Sequence, residues 1–315
     1  MEAAFTIHIT EKNAVRDLKA KIKSRNDASE VLATFDLEQV IYSPKTNRCE
    51  VFYRRRLSVY NFTVYDVKSG KCDAFVWHEG MAKRGSNEIS SCLALFLNEC
   101  DKKGAKRVYL FCDSCSGQNR NTIVPSMILY FLSHSVNVGM VTINFFEPHH
   151  GQNEGDTVHS CVERALRRQP ELRLPSELAV IIRSCRMSSE TVVVQIKTSD
   201  VLDWKSLSNA LGMLRSRTAT DGTEIDWTKV KSVRMVKEQS FVIGFKMTHT
   251  AEKYSCLNLE RRRQGISLRK PIPAYNQPPK LASEKYRDLL SLMRPDCPVI
   301  SHPDHQVFYR NLPHE

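Results

Sequence analysis

The spacing of hydrophobic residues changes repeatedly over the first 170 residues, and each change predicts a helix or a strand. Ala, Val and Leu on one side of a lysine-rich segment predict a helix over residues 11–25, and further helices are predicted over 86–100, 122–136 and 156–168. Short apolar or alternating runs predict strands over 32–42, 57–67, 72–77, 106–112 and 140–146. Gly70 lies between two of these strands and is predicted to form the turn of a hairpin.

The order of these elements predicts an α/β fold. Three strands joined by hairpins and then strands alternating with helices describe a mixed sheet with helices on both faces. This is the element order of the ribonuclease H-like fold. We expect a helical remnant in residues 1–30, a ribonuclease H-like core in 31–170 and a C-terminal α+β extension in 171–315. The extension is predicted to contain strands at 179–183, 191–196, 231–235 and 241–247, a proline-rich linker at 271–279 and a helix at 283–293.

The charge balance indicates a polyanionic partner. The chain has 315 residues, a formal net charge of +11 and 41% hydrophobic residues, which is enough for a core and excludes wholesale disorder. Residues 1–170 hold 23 Lys and Arg against 19 Asp and Glu, whereas residues 171–315 hold 23 against 16. Most of the excess therefore lies in the extension. Nucleic acid is the commonest partner of such a chain, and a basic protein without one is the alternative.

The ten cysteines indicate a reducing compartment. They are scattered through apolar runs, as buried thiols usually are, and no signal peptide precedes them. No run of about 18 apolar residues predicts a membrane span, so no membrane association is expected. The N-terminal helix reads as the end of something longer, and we expect an upstream module to be missing. An intracellular protein is predicted.

Acidic residues lie where predicted strands end and on a nearby helix. Asp36 falls in the first strand, Asp113 follows the fourth, and Asp156 and Glu163 lie on the helix after the fifth. Oxygen ligands from several elements are what hard divalent cations require, and two such ions can cleave phosphodiesters. We therefore predict a catalytic site of Asp36, Asp113, Asp156 and Glu163 holding Mg²⁺ or Mn²⁺, with Asp156 modestly favoured as the third acid.

Other readings of the same residues stay open. Asp156 is also a candidate N-cap of its helix, and Glu163 a surface partner of Arg167. His159 lies on the same helix face and is either a further metal ligand or a packed histidine. Supporting roles in ordering the loops or contacting phosphate are predicted, against ordinary polar loops, for Gln118, Asn119, Asn121 and His150.

Two basic clusters are candidates for phosphate binding. The larger one is predicted to bind nucleic acid or to act as a nuclear-entry signal, with a solvated loop as the alternative, and consists of Arg261, Arg262, Arg263, Arg269 and Lys270. The smaller one, residues 54–56, precedes the second strand and is equally ambiguous.

Several of these segments together resemble a group of transposon-derived, DDE-type transposase-like proteins of insects and other animals. The resemblance is carried by residues 35–40, 60–65, 77–80, 84–89, 113–121 and 150–163, and by C-terminal segments near 263–266, 288–290 and 308–312. It implies a ribonuclease H-like, two-metal polynucleotidyl transferase or nuclease of the nucleus that acts on DNA and is able to self-associate. The alternatives are a catalytically inactive DNA- or protein-binding derivative and a nuclease directed at RNA.

Overall fold

The described parts of the chain form one α/β unit built on a single mixed sheet. The computed structural model describes residues 2–148, 154–169, 171–186, 189–260, 268–296 and 299–315. The strands in these ranges are β1 (Glu30–Leu37), β2 (Ile41–Ser43), β3 (Leu57–Asp66), β4 (Cys72–His78), β5 (Arg107–Cys112), β6 (Met140–Phe145), β7 (Thr191–Gln195), β8 (Ser232–Val236), β9 (Val242–Lys246) and β10 (Ser255–Asn258). The helices are α1 (Glu2–Lys23), α2 (Cys49–Phe52), α3 (Ser86–Lys102), α4 (Ile123–His134), α5 (Glu154–Arg168), α6 (Pro175–Ser184), α7 (Trp204–Ala210), α8 (Ser283–Ser291) and α9 (Pro303–Arg310).

The strand order is β10-β9-β8-β6-β5-β1-β3-β4-β7, with β2 paired to β3. β1 pairs in parallel with β5, and β5 in parallel with β6. On its other side, β1 is antiparallel to β3, which forms a hairpin with β4. β7 adds to β4 at one edge and β8 adds to β6 at the other, so strands after residue 170 continue the same sheet in both directions. The predicted α/β class with a mixed sheet is confirmed.

Helices cover both faces of the sheet because residues along each strand alternate between two cores. On one face, Phe35, Phe62 and Leu110 are buried in the core that includes residues of α3, α4 and α7. On the other face, Leu32 and Phe111 pack with residues of α1. This period of two is the pattern of a strand buried on both sides. Asp36 has the same parity as Leu32 and therefore lies on the face of α1.

The position of α5 on that same face decides where the candidate site forms. Val162 and Leu166 of α5 are buried in a core shared with Val59 of β3 and with α6. Lys19 of α1 forms an ion pair with Glu154 in the first turn of α5. These contacts hold α5 across the ends of β1 and β3, with its N-terminal turns beside Asp36.

Residues 179–183 were predicted to form a strand, and that prediction is wrong because they lie in α6. A short apolar run does not distinguish a strand from a buried helix. Pro175 occupies the first turn, where its missing N–H costs nothing, and Leu178, Ile181 and Ile182 are buried at helical spacing. Residues 271–279 contain no helix or strand, but they are anchored by a hydrogen bond from Ala274 N to Val201 O.

Two negative findings apply to the described residues. Their helices include none that is long and apolar enough to cross a membrane. Their nine cysteines are free thiols, as the scatter of cysteines through apolar runs predicted.

Candidate metal centre

Asp36 and Asp113 lie side by side at the carboxyl ends of two neighbouring parallel strands. The register of β1 and β5 pairs Phe35 with Cys112, so the next residue along each strand is one of the two aspartates. Strands in a sheet lie about 4.8 Å apart, so adjacent residues at such a position are near neighbours. The order of elements predicted that these two acids converge, and this register places the two residues next to each other on adjacent strands.

Helix α5 brings a second acid and a histidine to the same place. One ligand atom each from Asp36, Asp156 and His159 lie within 4.8 Å of one another. Asp156 and His159 are three residues apart and therefore share one face of the helix. Because α5 begins at Glu154, Asp156 lies inside the first turn, and its alternative reading as the N-cap is wrong. These three residues form a group that could hold a metal ion.

The surroundings of Asp36 disfavour its negative charge. Burial, followed by the charges of Asp113 and Asp156, raises the pKa of Asp36 from 3.8 to about 7. The backbone N–H of Leu37 and the positive charge of Arg84 offset only part of this effect. A divalent cation among these carboxylates would replace the repulsion between them by attraction.

His159 is held as a neutral imidazole between Asp36 and Thr63. Its Nδ1 lies 3.7 Å from Asp36 Oδ2, and its Nε2 lies 3.1 Å from Thr63 Oγ1. The ring is 7% exposed, and this burial lowers the pKa of His159 to about 4. A neutral imidazole is the form that binds metals, and the contact of the second ring nitrogen with a hydroxyl fixes its orientation.

The loop after β5 is ordered by the asparagines that the sequence singled out. Asn119 is buried and donates Nδ2 to Asp113 Oδ1, whereas Asn119 Oδ1 has no hydrogen-bond partner among the described residues. Asn121 Nδ2 donates to Ser86 Oγ at 2.9 Å, and Asn121 Oδ1 accepts from Ile123 N at 2.8 Å at the start of α4. Gln118 is half-buried, and its backbone N–H donates to Cys115 O.

Glu163 lies two turns farther along α5, outside the group formed by Asp36, Asp156 and His159. It accepts a hydrogen bond of 3.3 Å from Arg167 Nη2, the surface pairing that was the alternative to a catalytic role. It is also a neighbour of Glu38, because its charge contributes to the raised pKa of Glu38. The structure thus places Asp156 nearer to Asp36 and Glu163 nearer to Glu38.

Glu38 is the acid that the sequence argument overlooked. It is 2% exposed, Asn61 Nδ2 donates to its Oε2 at 2.7 Å, and its Oε1 has no partner in the described part of the chain. Burial, followed by the charges of Glu163 and Asp36, raises the pKa of Glu38 to about 8. Its position two residues after Asp36, on the same face of the chain, is the signal that could have identified it.

The predicted nucleic-acid residues fall partly outside the described ranges. His150, Arg261, Arg262 and Arg263 lie among the residues that the structure does not describe. Arg269 and Lys270 are described and exposed to solvent.

A second group of residues that could hold a metal ion consists of Glu11, Glu147 and His249. Its carboxylates already have internal partners. Glu147 pairs with Lys231 at 2.5 Å, and Glu11 accepts a hydrogen bond of 2.5 Å from the backbone N–H of His249. These contacts tie α1 to the loop after β9, which is a sufficient structural role for the group.

The comparisons with known proteins identify a family without assigning an activity. A family model described as a domain of unknown function (DUF7869) matches residues 58–240. These residues include Asp113, Asp156 and His159 but not Asp36. No curated protein and no solved structure matches the chain. The match covers more than half of the chain, and the protein therefore belongs to the DUF7869 family.

Proposed function

We propose that this protein has a ribonuclease H-like fold and acts as a divalent-metal-dependent nuclease or polynucleotidyl transferase on DNA phosphodiesters. The strand order supports the fold, since the first strand is central, with an antiparallel hairpin on one side and two parallel strands on the other. The resemblance to DDE-type transposases supports the same assignment. DNA is the proposed substrate and partner, with self-association as a further proposal and the nucleus as the proposed location.

The observation that carries this proposal is the convergence of Asp36, Asp156 and His159 beside Asp113. Carboxylate oxygens from the end of β1 and from α5, with Asp113 following the neighbouring parallel strand, fit a hard divalent cation. Burial and the charges of Asp113 and Asp156 raise the pKa of Asp36, and a cation bound beside it would favour its ionised form. When bound, Mg²⁺ or Mn²⁺ supplies an activated oxygen nucleophile and stabilises the leaving oxygen.

Different residues of the chain would have different roles around such an ion. Asp36 and Asp156 would bind it, and Asp113, whose Oδ1 is held by Asn119, would complete the carboxylate set. His159 would bind as a neutral base or orient Asp36. An imidazole among carboxylates suits Mn²⁺ better than Mg²⁺, because Mg²⁺ prefers oxygen ligands alone.

The proposal is tested by measuring metal binding and cleavage on the same variants. We expect Mn²⁺ to raise the melting temperature of the protein and to support cleavage of labelled DNA oligonucleotides. Asp36→Asn and Asp156→Asn should abolish both effects, because each removes a ligand charge. Glu224→Gln removes an exposed acid far from the site in sequence and should change neither.

Each outcome has a defined meaning. Stabilisation by metal that Asp36→Asn leaves intact would refute the site. Stabilisation by metal without cleavage of DNA or RNA would refute the enzymatic part of the proposal and favour the inactive, DNA- or protein-binding derivative. Cleavage of RNA alone would replace the proposed DNA substrate.

A further inference from the structure

A cavity of about 420 Å³ borders the C-terminal half of α5, and a smaller one of about 230 Å³ is lined in part by Glu38, the buried acid two residues after Asp36. The lining of this smaller cavity contains two acids, Glu38 and Glu163, and it also contains Lys45, Arg56 and Tyr42. Glu38 is two residues from Asp36 and on the same face of the chain, so this part of the lining lies near a carboxylate that would hold the ion. The cavity therefore brings two cations, Lys45 and Arg56, to the neighbourhood of the candidate metal centre.

The two cations of this cavity have no ion-pair partner among the described residues. Lys45 Nζ donates to Leu166 O at 2.7 Å, which is a neutral acceptor. The guanidinium of Arg56 lies 4.9 Å from the centre of the Tyr42 ring. Burial, followed by the nearby positive charges of Arg167 and Arg56, lowers the pKa of Lys45. Partly buried cations that face one another are stabilised by an anion between them, and phosphate fits this requirement.

Two exposed aromatic side chains lie just before the three consecutive arginines that end at Arg56. Phe52 is 80% exposed and Tyr53 is 83% exposed, and their rings meet edge to face with centroids 5.2 Å apart. A contiguous exposed apolar patch is a common mark of a binding site. The start of β3 lies at the carboxyl end of β1, because the two strands are antiparallel, so the pair lies at the same end of the sheet as the metal centre.

The segment that carries these rings is fixed to the rest of the protein. Val51 is buried in a core formed with residues of α8 and α9. Arg54 and Arg55 both pair with Asp288, at 3.7 and 3.1 Å. This contact accounts for two of the three arginines that the sequence left ambiguous and leaves Arg56 for the cavity. Phe52 and Tyr53 are thus held in a defined, outward-facing position.

We infer that Phe52, Tyr53, Arg56 and Lys45 form a binding path for a single-stranded segment of polynucleotide that leads to the metal centre. Exposed aromatic rings stack on unpaired bases, and adjacent cations hold the backbone of the strand. A duplex keeps its bases stacked inside the helix and offers no face to these rings. The inference rests on the proposed function, since it specifies the form of the substrate at the same site.

The test is the binding of fluorescein-labelled 20-nucleotide DNA and RNA strands, and of the matching duplexes, measured by fluorescence anisotropy in EDTA. We expect single strands to bind more tightly than duplexes. Because stacking on each base contributes about 5- to 150-fold in affinity, the double variant Phe52→Ala/Tyr53→Ala should weaken single-strand binding at least about tenfold. Arg56→Gln should weaken it and reduce the slope of log affinity against log salt by about 0.7.

Matched controls separate this effect from general losses. Phe5→Ala removes another exposed aromatic side chain, 66% exposed on α1, and should bind strands as the wild type does. Lys103→Gln removes an exposed cation that precedes β5, at the opposite end of that strand from Asp113, and should leave the salt slope unchanged. The five substituted side chains are mostly exposed or line a cavity, and the melting temperature of each variant checks that it folds.

The inference is overturned by wild-type affinity in Phe52→Ala/Tyr53→Ala, by a preference for duplexes, or by the absence of nucleic-acid binding. Because the assay contains no free divalent cation, these results do not depend on the metal centre. Metal stabilisation and cleavage together with undiminished binding in the double variant would refute the strand path and leave the proposed function standing. Loss of cleavage in Asp36→Asn without loss of strand binding would be consistent with both proposals.

Discussion

Replacing Asp36 by Asn removes a metal ligand, and it is also expected to stabilise the metal-free protein. The carboxylate is 24% exposed and lies beside Asp113 and Asp156, whose charges together with burial raise its pKa from 3.8 to about 7. Asn has nearly the same shape and carries no charge. The substitution therefore removes the repulsion and leaves the packing of α5 against β1 in place.

The size and sign of the effect follow from the two pKa values. In the unfolded chain Asp36 ionises near its usual pKa, whereas in the folded protein it holds its proton up to about pH 7. Between these values the folded state binds more protons, so its stability is fully present below about pH 4 and falls until about pH 7. Three pH units at 1.36 kcal/mol each give an upper bound of about 4 kcal/mol for this loss.

The assay is urea unfolding of both proteins in EDTA at pH 5, 6, 7 and 8. The wild type should lose stability relative to Asp36→Asn as the pH rises, with the largest difference at pH 8. Adding Mn²⁺ should then restore the stability of the wild type and leave the stability of the variant unchanged. A concentration one hundred times the dissociation constant contributes about 2.7 kcal/mol to the protein that binds the ion.

Two results would refute this reasoning. A stability difference that is the same at pH 5 and pH 8 would mean that Asp36 does not ionise in this range. The inferred repulsion between Asp36 and its neighbouring carboxylates would then be wrong. A variant less stable than the wild type at pH 8 in EDTA would mean that the charged form of Asp36 is stabilised by groups of the protein itself, and the need for a cation would disappear.

Three further changes probe the site and the fold. Glu38→Gln should likewise stabilise the metal-free protein as the pH rises from about 4.5 to about 8, because the pKa of Glu38 is raised to about 8, and a pH-independent difference in urea unfolding would contradict this. Gly70→Ala should cost about 1 kcal/mol because Gly70 has φ +75° in the β3–β4 turn, whereas Gly117→Ala, in open space, should cost less by the same measurement. Leu110→Ala, which empties a fully buried position in β5, should cost about 2–5 kcal/mol, and a thermal midpoint equal to that of exposed Leu214→Ala would contradict the assigned core.

Local patterns in the sequence predicted most of the elements that build the central sheet. The elements from β3 to α5 and the turn at Gly70 follow from hydrophobic period and from residues with restricted backbones. The single strand predicted over residues 32–42 is wrong in extent, because the structure divides it into β1 (Glu30–Leu37) and β2 (Ile41–Ser43). The hydrophobic period did not predict the correct element at residues 179–183, because a short apolar run fits a helix and a strand equally well. Packing against β4 and β7, rather than the run itself, decides for the helix.

The partners of the acids were decided only by the tertiary structure. The sequence placed Asp36, Asp156 and Glu163 on particular elements, but the angle and offset at which α5 crosses β1 determine that Asp156 and His159 meet Asp36 while Glu163 meets Glu38. The same holds for the sheet edges, where β7 and β8 join strands more than 80 residues earlier in the chain. Such contacts arise from the burial of whole faces against one another, and no local pattern of residues encodes the partner across that distance.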